Sequence, residues 1–171
     1  DAGSLIDVSC STQVVDVAAA PGSTVPYQKV QQSSNAGTVS IVANDAVALN
    51  GAIRGNASGS AAGGSFALTL NERGDIADPL TGRRIVVSQG GGAQVAADSG
   101  FKDVTVSVDK LAGAGFDKLS LGAEDKIVFA DDATLNFQRG VTLDSKELEE
   151  TNGASVVVIG SELALENLYG K

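Results

Sequence analysis

Leu119-Ser120-Leu121, Val141-Thr142-Leu143 and Leu163-Ala164-Leu165 stand at one phase, each triplet 22 residues after the one before it. Adding the same step to Leu135 and Phe137 gives Val157 and Ile159, so a second strand is expected to recur within the unit while the linking segment varies. A fixed period with two or three short strands per unit is the pattern of a solenoid, because one coil cannot bury its own apolar side and must stack on the next. The reading is therefore all-β: a right-handed parallel β-helix with coils of roughly 20–22 residues. In that fold the inward residues of successive coils lie about 4.8 Å apart along the axis. Leu121, Leu143 and Leu165 are expected to form one internal column. Coils of roughly 20 residues would give about eight turns and a rod on the order of 40 Å.

Outward from these triplets, period-two alternation recurs in short runs. They are Val39–Ala43, Phe66–Leu70, Arg84–Val87, Val104–Val108, Ile127–Phe129 and Val156–Ile159. Gly, Asn, Asp and Ser clusters such as Gly55-Asn56-Ala57-Ser58-Gly59 and Gly90-Gly91-Gly92 separate them, where positive φ costs little. Gly100-Phe101-Lys102-Asp103-Val104 also resembles Gly115-Phe116-Asp117-Lys118-Leu119 at a spacing of 15, so turn lengths must differ. A short helix is possible around Asp109–Ala112. Asp144–Glu150 has helix-forming residues but only Leu148 to bury, and reads as a solvated loop or a single turn. Residues 1–37 hold two of the three prolines and the polar run Gln31-Gln32-Ser33-Ser34-Asn35. They read as an irregular N-terminal or capping segment, with Val14–Val17 as the one good strand candidate, ahead of a repeat domain over 38–171. The C-terminal coil is expected to be the more poorly capped end.

Composition narrows the function. The 171 residues are 43% hydrophobic, enough for one domain with a core, and that core must be built from small and β-branched side chains because there are five Phe, two Tyr and no Trp. Histidine is absent, which removes Ser-His-Asp and Cys-His catalysis and every histidine-ligated metal site. One cysteine, Cys10, cannot make an internal disulfide. A net charge of -9 has the wrong sign for a nucleic-acid track or an anionic membrane surface. No stretch approaches the roughly 18–20 apolar residues of a membrane-spanning helix. With no Met anywhere, the chain is expected to be a piece of something longer.

Two stretches carry a family resemblance. Gly37-Thr38-Val39-Ser40-Ile41-Val42-Ala43-Asn44-Asp45 through Ile53, followed by Gly63-Gly64-Ser65-Phe66-Ala67-Leu68, resembles a repeat unit of filamentous-haemagglutinin-like exoproteins: strand, Asn or Asp, second short strand, then a Gly-Gly turn. Val106–Leu121, with Ile127-Val128-Phe129 and Val141-Thr142-Leu143-Asp144, is similar to regions of the large haemagglutinin-family outer-membrane proteins of Gram-negative bacteria. The resemblance covers about residues 37–167. It implies a β-helical segment of a long secreted or surface-exposed adhesin exported by the two-partner pathway through a dedicated outer-membrane transporter. It also implies a host-cell or bacterial-surface receptor or glycan as partner. The family's Asn-Pro-x-Gly transporter-recognition element does not occur here, which implies an internal or distal segment.

Candidate chemistry is sparse. Asp131-Asp132 and Glu124-Asp125 flank a strand and could supply the two carboxylates of a glycosidase or a calcium site, but turn acids usually serve solubility. Gly90-Gly91-Gly92 lacks the Gly-Lys-Ser/Thr of a phosphate loop. Arg54 and Arg83-Arg84 read as charges that protect strand edges. Asn44, Asn50, Asn56, Asn71, Asn136 and Asn152 fall in turns where stacked amide ladders can form, and no basic neighbour activates Cys10. The expectation is a non-catalytic rod and adhesion surface, with no cofactor, no metal, no nucleic acid and no membrane insertion. The alternatives are a carbohydrate-active β-helix and the stalk of a toxin-delivery exoprotein.

Overall fold

The computed structural model of the chain describes residues 3–44, 47–71, 82–91 and 101–168. It is all-β with parallel sheets. The strands are β1 (Leu5–Asp7), β2 (Thr12–Ala18), β3 (Tyr27–Ser33), β4 (Thr38–Ala43), β5 (Ala52–Arg54), β6 (Gly64–Leu70), β7 (Gly82–Ser88), β8 (Phe101–Ser107), β9 (Phe116–Phe129), β10 (Ala133–Asn136), β11 (Gly140–Glu150), β12 (Val156–Ile159) and β13 (Leu163–Glu166). One short helix, α1 (Val108–Gly113), follows β8. The Ser107 hydroxyl accepts from Lys110 N at 3.2 Å and caps it. The helix falls where Asp109–Ala112 was read as one.

The main sheet runs β13-β11-β9-β6-β4, every pairing parallel. Its register places Val39, Phe66, Leu119, Val141 and Leu163 opposite one another in turn, and likewise Ile41, Leu68, Leu121, Leu143 and Leu165. The 22-residue step is thus the register of β9, β11 and β13. Phe66, Leu68, Leu119 and Leu121 are fully buried, Phe66 meeting the Phe116 ring edge-on at 5.8 Å. Gly55 lies so close to that ring that a Cβ there would come within 2.7 Å of it, so glycine is required.

β9 and β11 each turn a corner without leaving the ladder. The second halves pair Lys126–Phe129 with Glu147–Glu150, and a register shift sits between Ser145 and Glu147. β7 joins the second half of β9 along Arg84–Val87, and β8 pairs with the other edge of β7. β10 and β12 form a separate two-stranded parallel sheet, and so do β1 and β5.

Several expectations need correction. β10 pairs with β12 at a step of 23, Leu135 opposite Val158, so Val156 and Val158 are the half-buried residues while Val157 and Ile159 are about half exposed. The turn before β12 carries the reason, because Asn152 and Gly153 both take positive φ and lengthen it relative to the turn before β10. Asp144–Glu150 is strand, not loop. Lys126 Nζ bridges Glu149 at 3.0 Å and Glu147 at 3.1 Å across the ladder, which gives these charged residues a partner without burial. The spacing of 15 between Phe101 and Phe116 is not a coil repeat, since β8 pairs with β7 and not with β9. Among the described residues the main ladder makes five passes, not eight. The stretch between β6 and β9 and the β2–β3 ribbon occupy chain that a strict period would have spent on further coils.

Within residues 3–37, read as an irregular or capping segment, the chain forms three strands. β1 pairs with β5 in parallel, and β2 and β3 form an antiparallel ribbon over seven residue pairs, Thr12↔Ser33 to Ala18↔Tyr27. Val14–Val17 lies within β2, as its alternation indicates. Val8 packs against the core, so part of this segment covers the β4 end of the stack. At the other end Leu163 and Leu165 are 55% and 62% exposed, against 5% for Val39. The C-terminal pass is the barer one.

Candidate functional site

The paired acids do not converge. Asp131 reaches toward the pass before it, its Oδ1 accepting from Gln89 N at 2.8 Å and its Oδ2 from the Ser88 hydroxyl at 3.1 Å. Asp132 reaches toward the pass after it, accepting from Ser155 N at 2.8 Å. Asp125 accepts from Arg83 N at 2.7 Å and from Lys146 Nζ at 3.2 Å, and Glu124 lies 3.7 Å from the same ammonium. Asp117 accepts from Gly63 N at 2.6 Å, and Asp144 from Leu168 N at 2.9 Å. Carboxylates at the corners thus tie down backbone N–H groups where the ladder is interrupted. Among the described residues no group of three or more His, Cys, Asp or Glu could hold a metal ion.

The arginines depart from the edge-charge reading. Arg83 and Arg84 are buried on β7. Arg84 makes a two-point contact with Asp103 of β8, at 2.8 and 2.7 Å, and Arg83 Nε donates to the Asn44 carbonyl. A buried guanidinium needs such partners, so these residues join strands instead of shielding them. Arg54 is exposed on β5, where the original reading fits. Gly91 takes φ +79 and its N–H donates to the Ser88 hydroxyl at 3.0 Å, which makes a turn of this stretch; Gly92 lies outside the described residues. Asn136 stands opposite Ile159, not another amide, so it founds no ladder. Cys10 is a half-buried free thiol whose N–H donates to the Asn56 carbonyl at 2.9 Å.

The described residues also form concavities. One, of about 510 Å³, lies between Leu49, Ile53, Val106 and Leu111, with Lys110 Nζ donating across it to the Leu49 carbonyl at 2.5 Å. Another, of about 580 Å³, lies at the foot of the β2–β3 ribbon and is lined by Gln31, Ser33, Asn35 and the turn Ser58–Ala61. The polar run 31–35 and the turn cluster 55–59 are each visible in the sequence. Their juxtaposition is not, because it depends on Asn35 Oδ1 accepting from Ala62 N at 3.0 Å and Ala36 N donating to the Ala62 carbonyl at 3.0 Å, contacts more than 25 positions apart.

Two ionisable groups are displaced from their ordinary values. The hydroxyl and then the N–H of Ser9 hold the Asp7 carboxyl below the usual range. Glu149 and then Glu147 raise the Lys126 ammonium. Both shifts stabilise charges already present at neutral pH, and neither readies a group for proton transfer. No family model, curated protein or solved structure matches the chain.

Proposed function

We propose that the chain is a non-catalytic segment of a large haemagglutinin-like adhesin, secreted or held at the surface of a Gram-negative bacterium. In this reading the parallel passes wind as a right-handed β-helix with coils of roughly 20–22 residues. The segment acts as rod and adhesion surface toward a host-cell or bacterial-surface receptor or glycan, and a dedicated outer-membrane transporter exports the full-length protein. The observation that carries the proposal is the pair of inward columns, Val39-Phe66-Leu119-Val141-Leu163 and Ile41-Leu68-Leu121-Leu143-Leu165, in unbroken parallel register. Such columns are what stacked coils require, and they fit the repeat-unit resemblance over 37–167.

The corner acids support the non-catalytic side of the reading. A glycosidase needs two carboxyl groups facing one bond, whereas Asp131 and Asp132 turn to opposite neighbours and are engaged with backbone N–H groups. The test is to coat beads with the purified chain and measure their retention on epithelial and bacterial monolayers, alongside reducing-sugar release from a polysaccharide panel. Retention above albumin-coated beads with no sugar release is expected. Sugar release that disappears in the Asp131→Asn, Asp132→Asn double variant would replace the proposal with the carbohydrate-active alternative.

A further inference from the structure

The groove at the foot of the β2–β3 ribbon has an unusual lining for so acidic a chain. Its side chains are the Gln31 and Asn35 amides and the Ser33, Ser58 and Ser60 hydroxyls, with no charge among them. Two are partly engaged: the Ser33 hydroxyl lies 3.1 Å from that of Thr12, and Asn35 Oδ1 accepts from Ala62 N, which leaves the Asn35 NH₂ to donate outward. The Gln31 amide and the Ser58 and Ser60 hydroxyls make no hydrogen bond to another described residue. The groove therefore offers both donors and acceptors, without the cation that would select an anion or the apolar floor that would select a lipid tail.

The surface beside the groove adds a second feature. Alternate residues of a strand share a face, so Tyr27, Lys29, Gln31 and Ser33 lie in one row along β3. Their cross-strand neighbours are Ala18, Asp16, Val14 and Thr12. Tyr27 and Val14 are 63% and 65% exposed, and Lys29 stands opposite Asp16 in the register, so the two positions together carry no net charge. Two strand steps put Tyr27 about 13 Å from Gln31. A polar neutral groove thus continues into a strip bearing an aliphatic side chain and an exposed aromatic ring. A ligand matching both parts carries many hydroxyls, no net charge, and ring faces of C–H groups that can lie on an aromatic side chain.

We propose that this groove and strip bind a short linear neutral oligosaccharide. The hydroxyls would meet Gln31, Asn35, Ser58 and Ser60, and a ring face would lie on Tyr27. The proposal rests on the adhesive-scaffold reading in treating this face as a recognition surface. The experiment is an amide NMR titration of the ¹⁵N-labelled whole chain with chitotetraose, maltopentaose and cellopentaose. A heparin tetrasaccharide serves as charged control, and an extended Val-Thr peptide tests strand addition at the ribbon edge. At least one neutral sugar is expected to move signals of residues 27–35 and 58–61 saturably. Tyr27→Ala and Gln31→Ala, both at exposed positions, should each weaken that binding at least about fivefold, the loss of one good contact. Asp131→Asn, remote from the groove, should leave it unchanged. Three results would overturn the proposal: no saturable shift in the groove with any neutral sugar, preference for the sulfated sugar, or shifts at β3 with the peptide alone. Any of these would leave the strand stacking intact, because that is tested separately by a charge placed in the inward column.

Discussion

Residues 116–166 and residues 38–115 build the same sheet in different ways. From Phe116 onward the chain returns to the two main columns after 22 residues, Leu119 to Val141 to Leu163 and Leu121 to Leu143 to Leu165. In the earlier half Leu68 and Leu121 are direct partners although the chain between them runs through β7, β8 and α1. Phe66 and Leu68 on one side of that excursion and Leu119, Leu121, Val141 and Leu143 on the other are equally well buried. Register is therefore set by apolar side chains meeting in a column, and loop length is free to vary as long as the next strand arrives in phase.

The largest break in that comparison comes from charging the column. Leu121→Asp or Leu143→Asp places a carboxylate among fully apolar neighbours and should cost about 3–5 kcal/mol, seen as a fall in Tm on the order of 10 °C. Leu165→Asp, in the same column but 62% exposed, should change stability by less than about 0.5 kcal/mol. Equal losses at 143 and 165 would mean that the last pass is covered. A smaller effect is expected at the corners. Asp131→Ala leaves Gln89 N without its carboxylate acceptor and should cost about 1–2 kcal/mol. Asp144→Ala, whose bond to Leu168 N lies at the bare end, should cost a few tenths. Urea unfolding of the two variants separates them.

A pH-dependent effect concerns Lys126. Its folded pKa is raised, so its pairing with Glu149 and Glu147 stabilises fully below the ordinary value of 10.5 and is lost as pH rises through the raised value. Lys126→Met should be less stable than the parent by about 0.5 kcal/mol at pH 8. That gap should close as pH rises through the raised value. A gap that persists there would assign the effect to packing of the lysine stem.

The strands of the later half were legible because their apolar residues alternate at a constant phase, and β4, β6, β7 and β8 by alternation alone. β1, β3 and β5 were not. Leu5-Ile6-Asp7 and Ala52-Ile53-Arg54 are too short to show a period, and Tyr27–Ser33 is mostly polar because both faces of the ribbon meet water. The step from Leu135 to Val158 was misread by one residue, since a turn with positive φ at Asn152 and Gly153 leaves no trace in apolar spacing. The burial of Arg83 and Arg84 leaves no mark in the sequence, because it depends on the strands β7 joins. The groove escaped for the same reason: its two halves meet only through pairing of distant segments.

The central claim is that passes 22 residues apart lie side by side in parallel. Inter-strand NOEs between backbone protons of β9, β11 and β13 test it most directly. The account predicts contacts linking residues at a difference of 22, Leu119 with Val141 and Leu143 with Leu165 among them, and at a difference of 21 beyond the register shift, Lys126 with Glu147. Contacts at a constant sum of residue numbers, the mark of antiparallel pairing, or none between β11 and β13, would contradict it.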